Sequence, residues 1–103
     1  LAITSSSRSP SLPDVPTMAE AGVADFEITA WFGFMAPTGT PKPIIQKIST
    51  DVAKIMAMPD VRESILAKAT IPMSSTPEEY AAFIQSEIKK WSEVVKLTNM
   101  KVD

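Results

Sequence analysis

The sequence predicts an α/β fold, because segments with the two-residue period of a strand alternate with segments of helical period. Residues 26–35 alternate regularly, and one face of this predicted strand carries Phe26, Ile28, Ala30, Phe32 and Phe34. After Pro41 and again after Pro77, apolar residues instead recur every three or four positions, which is typical of amphipathic helices. We therefore expect sheet strands packed by two longer helices and by shorter ones.

Composition limits the function more by what is missing than by what is present. The chain has 103 residues, 45% of them hydrophobic and 21% charged, which is typical of one small globular domain. A net charge of -2 gives no reason to expect nucleic acid as a partner. The sequence has no histidine and no cysteine, which excludes the usual nucleophilic triads and ordinary zinc sites.

We expect neither a cofactor nor catalysis from these residues. The three glycines lie at positions 22, 33 and 39, too far apart to form a loop that binds phosphate. The carboxylate pairs Glu78–Glu79 and Asp60–Glu63 fall in predicted first helical turns, where acidic residues complement the helix dipole. No catalytic residue is predicted.

The first part of the chain is predicted to be a strand, a connector and one turn of helix. Residues 1–5 form a short apolar strand, and three prolines keep residues 6–16 extended. Thr17 and Glu20 have the spacing of a capping box for a short helix over residues 18–21, which Gly22 closes in a left-handed conformation. The strand over residues 26–35 starts exposed and becomes apolar on both faces, so we expect its end to be buried on both sides.

The second part is predicted to be mostly helical. Thr40 is the expected N-cap of a helix that has Pro41 in its first position and runs to about residue 57. Pro59 starts a shorter helix, and residues 70–74 read as an edge strand. Thr76 and Glu79 form a second predicted capping box.

That capping box starts a long helix with an apolar stripe. Its members are Tyr80, Phe83, Ile84, Ile88, Trp91, Val94 and Val95. Docking on the chain's own sheet is the expected use of the stripe, and an oligomer face is the alternative. Asn99 is expected to end the helix in a left-handed conformation, and residues 100–102 to form a brief strand or tail.

Two motifs carry a resemblance to a known family. They are RSPSLPDVPTMAEAG at residues 8–22 and WFGFMAPTGTP at residues 31–41. Both resemble signatures of the tripartite tricarboxylate transporter solute receptors, the Bug family of periplasmic binding proteins. The resemblance runs along the whole chain but corresponds to about the last third of such a receptor.

The resemblance implies a fold and a division of the chain. Receptors of this family have two α/β lobes that close on a small solute, so the chain would form part of a lobe of the type II periplasmic binding protein kind. Residues 1–16 would be a crossover strand and connector between the lobes, and residues 17–103 would be part of the first lobe. The chain starts within an apolar run without an initiator methionine, so we expect it to be a piece of something longer.

The same resemblance implies a function and partners. The expected solute is a small organic acid: a di- or tricarboxylate, an amino acid or an aromatic acid. The expected macromolecular partner is the membrane permease of the transporter, and the expected location is the periplasm. Two alternatives stay open from the residues alone: a protein-interaction or sensory module, and a domain of an enzyme whose catalytic residues lie in missing sequence.

The candidate ligand-binding residues are Thr4, Ser5, Ser6 and Trp31. By position in the family, the three hydroxyl residues would approach the hinge and cleft, where each could orient a water or a carboxylate oxygen. Trp31 could pack on the solute, with a role in the core as the alternative. Arg8 could bind a carboxylate, with an exposed loop position as the alternative.

Two positions depart from the family pattern. Met58 replaces the family's acidic or Asn cap before Pro59, so the helix that follows should be poorly capped. Ala69 replaces a Gly, which disfavours a left-handed end of that helix.

Because the predicted strands need neighbours, we expect the isolated chain to associate with itself.

Overall fold

The computed structural model describes residues 1–101, and its regular structure consists of three helices. Helix α1 spans Lys42–Ala57, α2 spans Pro59–Leu66 and α3 spans Pro77–Thr98. Helix α1 contacts both α2 and α3. The long helices and the short one between them were all predicted from their apolar periodicity, and all three are confirmed. The short helix predicted over residues 18–21 is wrong: these residues form a turn, because the bond from the Ala21 N–H to the Thr17 carbonyl is not continued by a further helical bond.

Two predicted strands and the edge strand are wrong for the described part of the chain. Residues 1–5, 26–35 and 70–74 carry no strand there, and the one bridge is a parallel pair between Ile3 and Thr17. A strand exists only when its backbone groups pair with a neighbour, whereas alternation of side chains is a property of one segment alone. Residues 100 and 101 are also outside any strand, and residue 102 of that last prediction lies outside the described residues.

The alternation over residues 26–35 is reflected only in part in the packing, since Met35, on the predicted face of Trp31, is 73% exposed. Trp31 and Gly33, from one predicted face, lie against α3. Phe32 and Phe34, from the other face, are 91% and 81% exposed. The expectation that this segment ends buried on both sides is therefore wrong within residues 1–101, because only α3 covers it.

Capping chemistry is mostly as predicted. The Thr76 hydroxyl accepts from the Glu79 N–H at 3.1 Å, and the Glu79 carboxylate accepts from the Thr76 N–H at 2.9 Å. Asn99 ends α3 with φ 51°, and Met58 precedes α2 without a side-chain cap. Thr40 as N-cap of α1 is wrong: its hydroxyl donates to the Pro37 carbonyl instead.

The end of α2 shows a left-handed residue despite the missing glycine. Ala69 has φ 55°, and the Thr70 N–H donates to the Ile65 carbonyl at 3.3 Å. The closing hydrogen bonds therefore form, and Ala69 bears the steric strain that a glycine would avoid.

Candidate functional site

The N-terminal residues lie between the connector and the segment that follows it. The Ile3 N–H donates to the Pro16 carbonyl at 2.9 Å, and the Met18 N–H donates to the Ile3 carbonyl at 2.9 Å. One residue further, the Thr4 carbonyl accepts from the Ile28 N–H at 2.9 Å. These bonds hold Thr4 at the junction of three stretches of chain, directly before Ser5 and Ser6.

Of the three hydroxyl residues, Ser5 already has an internal partner. Its Oγ donates to the Ser7 carbonyl at 2.7 Å, which folds residues 5–7 into a tight bend. Thr4 and Ser6 are exposed. The structure therefore brings the three residues together on one short segment and leaves Thr4 and Ser6 on the surface.

Trp31 packs against α3. Its ring meets Tyr80 and Phe83 edge to face, with ring centroids 5.9 Å and 5.0 Å apart. Edge-to-face pairs of this kind stabilise packing by ~1 kcal/mol beyond area burial. Trp31 as a whole stays 36% exposed, so it packs against α3 and still presents part of its surface.

Glu87 is a residue of this region that sequence reasoning missed. Its carboxylate accepts from Lys90 Nζ at 2.8 Å and from Trp91 Nε1 at 3.1 Å. The hydrogen bond from Lys90 is the main cause of a lowered Glu87 pKa, and the Trp91 and Trp31 side chains contribute smaller amounts. The spacing of these residues along α3 was the available signal, because side chains three and four positions apart meet on a helix.

Lys90 also links α3 to the segment before Trp31. Its Nζ donates to the Glu27 carbonyl at 3.5 Å and lies 5.8 Å from the centroid of the Trp91 ring. Glu87 and Lys90 thus form a charged cluster beside the aromatic contact of Trp31.

Arg8 is occupied within the connector. Its Nε donates to the Glu20 carboxylate at 2.9 Å, and a second guanidinium nitrogen donates to the Pro13 carbonyl at 3.0 Å. Glu20 also completes the predicted capping box: it accepts from the Thr17 N–H at 2.8 Å, and Thr17 is only 4% exposed. The guanidinium therefore fixes the path of residues 8–20 and is not available to a solute carboxylate in this arrangement.

The described surface offers open depressions. One lies between α1 and α2 along Ala57, Arg62 and Leu66, and another lies where α1 meets the start of α3 at Thr76. Residues 1–101 contain no cluster of three acidic, His or Cys side chains that could hold a metal ion. Within that same range, no helix has both the length and the apolar character that crossing a membrane requires.

Comparison with known families gives one match over almost the whole chain. Residues 1–100 match the family described as "Tripartite tricarboxylate transporter family receptor". Among curated proteins, protein BugT of Bordetella pertussis is 39% identical over 102 residues, covering 99% of this chain and 31% of BugT.

Solved structures agree with the sequence match. The structure of the periplasmic binding protein BugD superposes with a TM-score of 0.83 at 33% identity, covering 97% of this chain and 34% of BugD. The structure described as R. palustris Rpa4515 with adipate superposes with a TM-score of 0.82 at 33% identity, covering 93% of this chain and 32% of that protein. The chain thus spans about a third of the length of these relatives.

Proposed function

Because this chain belongs to the tripartite tricarboxylate transporter receptor family, we propose that it forms the C-terminal part of a receptor that captures a small organic acid. The family is one of periplasmic binding proteins, not of enzymes. The observation that carries the proposal is the superposition on a receptor whose structure contains adipate, a dicarboxylate. Adipate and acids of similar size are the solute class proposed here.

A position within the receptor is also part of the proposal. We propose that residues 1–16 connect the two lobes and that residues 17–103 belong to the first lobe. The hydrogen bonds of Ile3 and Thr4 support this division, since they attach the N-terminal residues to both the connector and the Ile28 segment. The proposed location is the periplasm, and the proposed partner is the membrane permease of a transporter.

The proposed contacts to the solute are Thr4, Ser5, Ser6 and Trp31. Thr4 and Ser6 are exposed, so their hydroxyls can reach a carboxylate oxygen or a bridging water. Ser5 would first have to exchange its bond to the Ser7 carbonyl. Arg8 is paired with Glu20 and therefore does not itself bind the solute carboxylate. Neutral donors would bind the acid instead.

A chimeric receptor tests this function. Residues 1–100 of this chain would replace the matching third of the adipate-containing R. palustris protein, and calorimetry would measure adipate binding. We expect a folded chimera that binds adipate, because the replaced third superposes closely. A chimera with a cooperative thermal transition but no affinity for adipate or related acids would contradict the proposed function.

Variants of that chimera test the site. Replacing Thr4 or Ser6 by Ala should weaken binding by about 1 kcal/mol for the lost hydrogen bond. This corresponds to a roughly fivefold increase in Kd for each replacement. Ser49→Ala on α1, away from the junction, is the matched control and should leave the affinity unchanged. Unchanged affinity in the Thr4 and Ser6 variants would remove these residues from the site.

We also propose that the chain associates with itself when it is isolated. Large apolar side chains along residues 28–35 are exposed, and exposed apolar patches of this kind are commonly covered by another protein surface. The alternative function, a module that binds a protein and no solute, would give association without any affinity for organic acids in the chimera.

A further inference from the structure

We propose that Arg8 is a positioning residue for the solute contacts, because it fixes one end of the loop that carries their hydroxyl groups. This loop consists of residues 4–7, all of which have a hydroxyl side chain, and we name it the hydroxyl loop. The inference rests on the proposed function, since Thr4, Ser5 and Ser6 are the contacts proposed there. It adds the side chain that holds them in place without touching the solute.

The hydroxyl loop starts from a residue with two backbone hydrogen bonds. The Ile3 N–H donates to the Pro16 carbonyl at 2.9 Å, and the Met18 N–H donates to the Ile3 carbonyl at 2.9 Å. These two bonds pair Ile3 in parallel with Thr17, which is buried. The start of the loop is therefore attached to the turn that begins at Thr17.

The end of the hydroxyl loop is attached to the same turn through Arg8, the next residue in sequence. Arg8 Nε lies 2.9 Å and 3.2 Å from the two carboxylate oxygens of Glu20, and a second guanidinium nitrogen donates to the Pro13 carbonyl at 3.0 Å. Glu20 is bound to Thr17 in both directions, at 2.8 Å and 3.2 Å. Both ends of the loop are thus held on one turn.

Attachment at both ends matters because the hydroxyl loop offers only neutral donors to an acid. The free energy gained from one neutral hydrogen bond is similar in size to the free energy lost when the backbone of one residue becomes ordered. Hydroxyls on a loop that becomes ordered only on binding would therefore gain little, whereas hydroxyls on an ordered loop keep the gain. The Arg8 attachment is made by a side chain, so a substitution removes it and leaves the backbone bonds of Ile3 in place.

Adipate affinity of the chimeric receptor tests the role of Arg8. Arg8→Gln should raise Kd about threefold, which is within the range of exposed ion pairs. Arg8→Lys should have a smaller effect, because the ammonium group keeps its charge near Glu20 but lacks the forked geometry that also reaches the Pro13 carbonyl. Arg62→Gln, at an exposed position of α2, is the matched control and should leave Kd unchanged. Unchanged affinity in Arg8→Gln would overturn the proposal.

A double-mutant cycle separates positioning from a general effect on the receptor. In a chimera that already carries Thr4→Ala and Ser6→Ala, the further change Arg8→Gln should alter Kd by less than about 1.5-fold. The reason is that only Ser5 is then left of the proposed hydroxyl contacts, and it is bonded to the Ser7 carbonyl. A threefold effect in both backgrounds would show that Arg8 acts without the hydroxyls, and the proposal would be wrong.

Nitrogen NMR relaxation tests the attachment in the absence of solute. Backbone order parameters of residues 5–7 in the chimera should be near the rigid value of about 0.85 and should fall towards about 0.6 in Arg8→Gln. Equal order parameters in the two proteins would also overturn the role of Arg8. A folded chimera with an ordered hydroxyl loop but no affinity for adipate would instead contradict the proposed function, so the two failures are distinguishable.

Discussion

The Glu20 carboxylate accepts hydrogen bonds from two sides, the Thr17 N–H and the Arg8 guanidinium. The Thr17 amide is the larger cause, and Arg8 the next, of a Glu20 pKa below its ordinary value of 4.5. Because the folded pKa is the lower one, the stabilising contribution of Glu20 is present above pH 4.5. It is lost as the pH falls through the folded pKa.

Removing the guanidinium should raise the Glu20 pKa only part of the way. We expect Arg8→Gln to shift the carboxylate titration upward but to leave it below 4.5, since the larger contribution from the Thr17 amide stays. Carbon NMR of the Glu20 side chain measures this, with Arg62→Gln on α2 as the control that shifts nothing. An ordinary Glu20 titration in the unchanged chain would contradict the arrangement of the connector.

Tyr80 of α3 lies directly against Gly33 of the preceding segment. A Cβ atom added to Gly33 would overlap the Tyr80 hydroxyl and ring edge, so this position accepts no side chain without movement. The Tyr80 hydroxyl is buried there without a hydrogen-bond partner. A buried hydroxyl in that state is destabilising by about 1–3 kcal/mol.

Substitutions at these two positions should therefore act in opposite directions. Tyr80→Phe should raise the free energy of unfolding by about 1 kcal/mol, because the unpaired hydroxyl is removed while the ring contact with Trp31 stays. Gly33→Ala should lower it and expose Trp31. Chemical denaturation together with acrylamide quenching of tryptophan fluorescence measures both effects; a destabilised Tyr80→Phe or a neutral Gly33→Ala would show that this contact is absent.

At the scale of elements, local chemistry was predictable from sequence and pairing was not. The helices and both capping boxes depend on residues within a few positions of each other, such as Thr76 and Glu79. The strand over residues 26–35 failed because a strand depends on a distant partner, which periodicity does not identify. For the same reason the contact of Trp31 with α3 could not be predicted, whereas the helical spacing of Glu87, Lys90 and Trp91 could have been noticed.

Helix α2 carries an identifiable weakness at its C-terminal end. Ala69 is left-handed, a conformation that is unfavourable by about 1 kcal/mol for a residue with a Cβ. Ala69→Gly should therefore stabilise α2 by up to about 1 kcal/mol, measured by amide hydrogen exchange along the helix. Ala67→Gly is the matched control: Ala67 is right-handed with φ -60°, so glycine there should destabilise. Equal effects of the two glycines would contradict the left-handed end.

At the scale of the whole molecule, the chain is more open than its length requires. Its radius of gyration is 16.8 Å, against about 13 Å for a compact domain of this size. Its accessible surface is 8591 Å², against about 5,700 Å² expected from its mass. Within residues 1–101 no aliphatic, aromatic or methionine side chain is buried, although Pro72 is, and this agrees with a segment that spans a third of its relatives.

This openness should appear in the heat capacity of unfolding. The increase in heat capacity on unfolding scales with the apolar surface that unfolding exposes. It is about 1.2–1.5 kcal/mol/K for a compact domain of 100 residues. For this chain we expect a value clearly below that range, measured by scanning calorimetry at low concentration. An ordinary heat-capacity increase would contradict the open structure.

The scarcity of backbone bonds between Ile28 and Thr40 also makes this stretch the natural place for proteases to cut. Chymotrypsin, which cleaves after large aromatic residues, should nick first at Phe32 or Phe34, where both the side chain and the peptide are accessible. The larger product would contain all three helices. The smaller product would contain the connector and its capping box. Such a nick would separate the N-terminal residues, with their capped turn at Thr17, from the helical part that begins at Lys42.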